Sequence, residues 1–273
     1  MTGTTGIAAE LSAFAVQEQA ELAAAVAAIT EAAGAEILRI YGQDFDYRHK
    51  EDRSPVTAAD EIAEALILEH LACLTPDIPV VAEESVAGGR VPVVGEGPFW
   101  LVDPLDGTRE FISRNGEFTV NVALIEHHRP LLGAVHVPAK DITYRAAGPG
   151  MALRRAGNET QAIAVRRPGP DGLVVVASRS HRDAETDAYL ARLRVKSFTA
   201  AGSSLKFCLL AEGSADFYPR FGRTMEWDTA AGHAVLAAAG GSVRTLEETE
   251  LRYGKQGFAN PSFLAYGGGV EGR

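Results

Sequence analysis

Two carboxylates three residues apart, Asp103 and Asp106, stand in the stretch Trp100-Leu101-Val102-Asp103-Pro104-Leu105-Asp106-Gly107-Thr108. Three apolar residues run into a proline-initiated turn, so the pattern predicts a buried strand whose end turns both acids into one small volume. Two carboxylates in one volume repel unless a cation sits between them. Gly107 lets the backbone approach a ligand closely, and consecutive N–H groups in such a turn form an anion nest. Cation and anion held by one turn point to a metal-held phosphate. An ordinary strand-to-turn junction uses the same residue types, so the other acids of the chain decide between the two readings.

Three further places supply acids. Ser54-Pro55-Val56-Thr57 opens a helix with Thr57 as N-cap, and Asp60 in its first turn favours the helix dipole without needing a catalytic role. Pro79-Val80-Val81-Ala82 reads as a short strand ending in Glu83-Glu84. Adjacent side chains on a strand face opposite ways, so one of the two can enter a site while the other meets solvent or stands behind the first. Asp228 follows Trp227 in the first turn of an apolar helix that Gly240-Gly241 stops. It is either a dipole-favoured cap or a metal ligand beside a phosphate. None of the seven histidines lies in an H-E-x-x-H pattern, and His127-His128 reads as a polar turn.

The elements that must position these acids follow from periodicity. Residues 1–10 read as a loose tail and 11–41 as a helix, with Leu22, Val26, Ile29, Ala33, Ile37 and Ile40 forming one buried stripe and Gly42 a stop. Residues 44–54 read as a polar loop. The second helix carries Ile62, Leu66, Leu71 and Leu74 beneath it. Strands are expected over 118–126, 131–137, 142–146 and 161–166, the first two joined by a short turn. Pro168-Gly169-Pro170-Asp171-Gly172 is the clearest linker, and beyond it strands near 173–177, 197–199 and 215–219 alternate with helices near 183–193, 203–212 and 227–241. The expected organisation is two packed, layered subdomains, 1–168 and 169–273, meeting near the carboxylate tips.

Composition excludes several function classes. With 273 residues, 46% hydrophobic and 23% charged, the chain is ordinary globular protein. A formal net charge of −10 gives no electrostatic basis for binding a nucleic-acid backbone. The first basic residue is Arg39, so no basic leader is visible, and the uncharged run from Thr229 to Val243 is shorter than the ~20 apolar residues of a spanning helix. Cys73 and Cys208, in no paired motif, read as reduced core thiols of a cytoplasmic protein.

In order, Asp60, Glu83-Glu84, Asp103-Pro104-Leu105-Asp106-Gly107-Thr108 and Trp227-Asp228-Thr229-Ala230-Ala231-Gly232 resemble the signature of the lithium-sensitive, magnesium-dependent phosphomonoesterases, which include inositol monophosphatases and fructose-bisphosphatases. The segment 107–125, Ser178-Arg179-Ser180-His181, Gly202-Ser203-Ser204-Leu205-Lys206 and Tyr218-Pro219-Arg220 resemble the bacterial 3'(2'),5'-bisphosphate nucleotidases rather than the inositol enzymes. The resemblance spans Ser54 to Gly241 and implies an αβαβα sandwich of mixed α+β and α/β character. It implies two or three Mg²⁺ ions per site, held by the carboxylates of Glu83, Asp103, Asp106 and Asp228 and the carbonyl of Leu105. Thr108, bonded to Asp60, would orient and deprotonate an attacking water, a task Glu83 would share. Glu84 would stand behind the ligands or serve a third ion. Asp106, Gly107 and Thr108 would cradle the phosphate, and His181, Ser203, Lys206, Arg220 and Asp228 would hold the nucleotide.

That resemblance sets the functional expectation as hydrolysis of the 3'-phosphate of adenosine 3',5'-bisphosphate to AMP, as a step linked to sulfate assimilation. The expected partner is this small nucleotide, with no nucleic acid and no membrane-spanning segment, in a cytoplasmic monomer or homodimer, at most peripheral to the inner membrane face. The alternatives are an inositol-type polyol phosphatase and a non-catalytic metal and nucleotide sensor. Two departures from the nucleotidase pattern are Arg109, where lysine is common, and Met225-Glu226, which is less apolar than expected before Trp227.

Overall fold

Alternation along residues 99–106 sends Phe99 and Leu101 to one side of a strand and Trp100 and Val102 to the other, and both sides are buried. A strand covered on both faces has no polar side to present, which is why this run reads as continuously apolar. The computed structural model describes residues 15–49, 55–178 and 184–270. In its first half lie α1 (Val16–Tyr41), β1 (Tyr47–His49), β2 (Pro55–Thr57), α2 (Ala58–Leu74), β3 (Val80–Ala82), α3 (Glu83–Ala87), β4 (Phe99–Asp106), α4 (Thr108–Ile112), β5 (Thr119–Glu126), β6 (Arg129–Val137), β7 (Ile142–Ala146), β8 (Ala152–Ala156) and β9 (Glu159–Ala162). The second half contributes β10 (Leu173–Ser178), α5 (Ala184–Leu190), β11 (Val195–Ala201), α6 (Leu205–Ala211), β12 (Phe217–Arg220), α7 (Ala230–Ala238), β13 (Ser242–Thr245) and β14 (Phe263–Tyr266).

These elements stack in five layers. Strands β3 to β9 pair in sequence order as one sheet, parallel between β3 and β4 and antiparallel thereafter. A second sheet has the order β11-β10-β12-β14-β13. Helices α1 and α2 cover one face of the first sheet, where Val26, Ala33 and Ile37 meet Ile67, Leu71, Trp100 and Val122. Helices α6 and α7 fill the space between the sheets, packing Phe207, Leu210, Val235 and Leu236 against Leu101, Ala123 and Val135 on one side and Val176 and Phe263 on the other. Leu190 of α5 closes the outer face of the second sheet with Leu173, Val175, Phe217 and Leu264. The sequence is thus α-β-α-β-α, the sandwich that the resemblance implies. The two interior helices approach closely because position 232 is glycine: a Cβ there would lie 2.6 Å from Phe207 Cδ2.

Several local expectations are corrected. Part of the polar loop is the β1–β2 hairpin, and residues 50–54, like the tail before residue 15, lie outside the described residues. The apolar stripe of α2 is rotated: Ala59, Ala63, Ile67 and Leu71 are buried, whereas Ile62 and Leu74 are exposed. Small alanines facing α1 allow that rotation, because close helix packing rewards fit over residue size. Glu83 and Glu84 do not end a strand but begin α3. Strand β8 was not foreseen, and the next strand spans 159–162 rather than 161–166. Helix α7 begins only at Ala230, so Asp228 precedes it. Cys208 is buried as expected, but Cys73 is exposed.

Candidate active site

The strand β4 does not stop at Asp103. It continues to Asp106 with a register shift against β5 between the two acids, which displaces their side chains from simple alternation. Gly107 then takes φ +90°, a left-handed conformation that an L side chain resists, and α4 starts at Thr108. A cleft of about 290 Å³ opens at this junction, lined by the acids Glu83, Asp106 and Asp228, by Thr108, and by the cations Lys206 and Arg220.

Glu83, Asp103 and Asp228 each present a carboxylate oxygen within 4.8 Å of the others. They come from the start of α3, from β4 and from the turn before α7, so three separate chain segments converge. Asp103 also caps its own turn by accepting from Leu105 N at 3.1 Å, and Asp228 accepts from Met225 N at 2.8 Å. Burial pushes the Asp106 carboxyl up to about 6, with Lys206 pulling it down and Glu110 and Glu83 pushing it further up. Asp228 is raised well above the usual carboxylate range by burial, then by Asp106 and Glu83. Hard oxygen donors that are crowded, buried and mutually repelling fit a small divalent cation, which removes the repulsion that raises them. The carbonyl of Leu105 lies 3.4 Å from Thr108 Oγ1, at the base of the same turn.

Asp60 is buried and fully occupied. Its Oδ2 accepts from Thr57 N and Thr57 Oγ1, both at 2.7 Å, which is the expected N-cap interaction of α2. Its Oδ1 accepts from Thr108 Oγ1 at 3.2 Å. The cap and the Thr108 contact therefore coexist in one carboxylate, and the two readings of Asp60 are both realised geometrically.

On the cationic wall, Lys206 is buried, with Nζ donating to Ser203 O at 2.6 Å and lying 5.3 Å from the Tyr218 ring centroid. Burial lowers its ammonium to about 8, against the pull of Asp106. Arg220 donates to Arg223 O at 3.2 Å, while its buried Nε has no hydrogen-bond partner among the described residues. Ser203 lines the cleft, yet its hydroxyl lies 2.8 Å from Asp106 O and 2.7 Å from Glu117 O, so it clamps the turn rather than projecting outward. His181 lies outside the described residues. Arg109 lines the cleft as well.

Other residues that hold the site were not singled out from sequence. Glu64, buried, accepts from Glu84 N at 2.7 Å and Ser85 Oγ at 2.6 Å, fixing the start of α3 and hence Glu83. It stands four residues after Asp60, on the same helix face, and that spacing was its signal. Glu84 has its backbone in this anchor and is not among the three converging acids. Asn121 and Thr119, polar positions in the buried strand β5, share one face by their spacing of two. Glu226 explains its own departure from an apolar pattern: fully buried, it accepts from Gly254 N and Lys255 N and pairs with Lys255 Nζ at 2.7 Å. It ties the loop after β13 to the turn that carries Asp228.

The family model described as the inositol monophosphatase family matches residues 18–267. The 3'(2'),5'-bisphosphate nucleotidase CysQ of Escherichia coli is 50% identical over 234 residues, covering 85% of this chain and 94% of that protein. The protein of the same name from Buchnera aphidicola is 38% identical over 243 residues, covering 87% and 90%. Among solved structures, CysQ from Bacteroides thetaiotaomicron aligns with a TM-score of 0.77 at 38% identity, covering 90% of this chain and 97% of that one.

Proposed function

This chain belongs to the inositol monophosphatase family, and from that premise we propose that it is a magnesium-dependent 3'(2'),5'-bisphosphate nucleotidase. It hydrolyses the 3'-phosphate of adenosine 3',5'-bisphosphate to AMP and inorganic phosphate, a step serving sulfur assimilation. The observation that carries this reading is one cleft lined both by the acids Glu83, Asp106 and Asp228 and by the cations Lys206 and Arg220. A single phosphate beside the acids needs a cation; a second phosphate on the same substrate needs the basic wall.

Magnesium, two or three ions per site, is the cation that hard carboxylate donors suit, and when bound it lowers the pKa of water and neutralises phosphate charge. Glu83, Asp103, Asp106, Asp228 and the Leu105 carbonyl are the residues assigned to hold it. Thr108 donates its proton to Asp60, so its oxygen lone pairs are available to accept from the attacking water and aim it at phosphorus. Asp60 is the assigned proton acceptor through that hydroxyl, with Glu83 sharing the task. One P–O bond forms to the water oxygen, the bond to the ribose 3'-oxygen breaks, and that oxygen takes up a proton from solvent, which balances the one given to Asp60. Asp106, Gly107 and Thr108 are assigned to the reacting phosphate. Lys206 and Arg220, with Ser203 and His181, are assigned to the rest of the nucleotide. Residues 1–168 then supply the water-activating residues and most cation ligands, and 169–273 supply the nucleotide contacts and Asp228.

Phosphate release from adenosine 3',5'-bisphosphate and from inositol 1-phosphate, each with Mg²⁺ and with EDTA, tests the reading. Release from the nucleotide that needs Mg²⁺ is the expected result. Preference for the inositol ester would retain the cation site and discard the nucleotide contacts; nucleotide binding without release would favour a sensor. Asp106→Asn should abolish turnover while the circular dichroism spectrum and melting temperature stay near those of the parent. An active Asp106→Asn would overturn the cation assignment.

A further inference from the structure

Asp106 is gripped by both halves of the chain. Ser203 Oγ lies 2.8 Å from its carbonyl, and Ser204 N donates to its Oδ2 at 2.6 Å. Behind that oxygen runs a dry line of three polar side chains, Thr119, Ser204 and Asn121, each no more than 1% exposed. Ser204 Oγ donates to Asn121 Oδ1 at 2.6 Å, and Thr119 Oγ1 lies 2.9 Å from Ser204 Oγ. A serine hydroxyl has one proton, and it is committed to Asn121; Thr119 must therefore be the donor in its contact with Ser204. With Oδ1 of Asn121 occupied as an acceptor, its amide nitrogen is the end turned to Asp106, reaching Oδ2 at 3.5 Å. The proton order is thus set along the whole chain, and both donors converge on the same carboxylate oxygen. Asp106 Oδ1 accepts no hydrogen bond among the described residues.

We propose that Thr119, Ser204 and Asn121 are positioning residues that reserve Oδ2 of Asp106 for the protein and so present Oδ1 to the cation. The proposal rests on reading Asp106 as a cation ligand. It has a consequence for how the halves cooperate: the turn at 202–204, which leads into α6 and Lys206, also orients an acid of the opposite sheet. Cation affinity therefore depends on a segment that carries no cation ligand.

The test compares Thr119→Val, which removes the first donor at nearly constant volume, Asn121→Leu, and the conservative Thr119→Ser. Mg²⁺ binding to the full chain is measured by calorimetry, alongside the Mg²⁺ dependence of kcat and the melting temperature. Partners of this kind typically change metal affinity about 10- to 100-fold. Thr119→Val and Asn121→Leu should therefore raise the Mg²⁺ Kd by about tenfold or more, with kcat recovering toward the parent as Mg²⁺ is raised. Thr119→Ser should restore the parent Kd. Variants that melt earlier yet bind Mg²⁺ with the parent Kd would overturn the proposal, and Thr119→Val decides the matter should Asn121→Leu fail to fold. Asp106→Asn separates the two layers. If it binds Mg²⁺ like the parent, the ligand assignment fails; if it alone loses binding, only the positioning role fails.

Discussion

Asp106 and Lys206 line the same cleft, and burial drives both toward neutrality despite their mutual attraction, the carboxyl to about 6 and the ammonium to about 8. The sign of the resulting pH dependence follows. A carboxyl whose folded pKa is raised contributes stability below its unfolded value of 3.8, and that contribution is lost as pH rises through about 6. The cation-free protein thus carries an ionised, destabilised Asp106 above about pH 6, which a bound divalent cation would relieve. Added Mg²⁺ should raise the melting temperature more at about pH 7.5 than at about pH 5, where protons compete with it for the same oxygens. In the kcat/KM profile, the acid limb should move to lower pH as Mg²⁺ is increased, while an alkaline limb near 8 from Lys206 should not move. A pH profile indifferent to Mg²⁺ would contradict this coupling.

At the scale of elements, the decisive junction is β4–Gly107–α4. The glycine has φ +90°, and a Cβ built on it would overlap Ser203 Oγ, so the turn tolerates no side chain for two independent reasons. Gly107→Ala should cost about 1–3 kcal/mol in urea unfolding from backbone strain. It should lower activity far more than stability, because relief of the overlap moves Ser203 and with it the grip on Asp106. Legibility differs along this junction. The acid–proline–acid–glycine order was readable because each residue type has a local conformational preference. The extension of β4 to Asp106 was not, because the register shift is imposed by pairing with β5. The helical start at Glu83 was equally hidden, since Glu64, nineteen positions earlier, supplies the acceptor that makes a helix turn there favourable.

Across the whole molecule, five layers place the cleft at the ends of β4 and β12 beside α6, and an ion pair on a buried acid ties the connecting segment to the second sheet. Asp216, 1% exposed, accepts from Arg166 in the connecting segment at 2.8 Å and from Val174 N of β10 at 2.7 Å. Asp216→Ala should lower stability by roughly 2–4 kcal/mol, below the full value of a buried pair because Arg166 is partly exposed. The urea midpoint should fall with an unchanged m value, the mark of a stability loss without a change of folded architecture. No helix among the described residues is long and apolar enough to cross a membrane.

Legible in the sequence by itself were the residue types and their order, the acids at 60, 83, 103, 106 and 228 and the bases at 206 and 220, with most of the helices and strands that local periodicity encodes. Tertiary structure alone decided which of these meet and how. Ser203, read as a ligand contact, also clamps the turn because the carbonyls of Asp106 and Glu117 lie within reach of its hydroxyl. Lys206, read as a nucleotide contact, is buried because α6 is an interior helix of the sandwich. Thr119 and Asn121 acquire a role only when Ser204, from the far half of the chain, closes their hydrogen bonds. Local preferences act over a few residues and are written in order along the chain. Burial, proton order and carboxylate repulsion act through space, between segments that only the fold brings together.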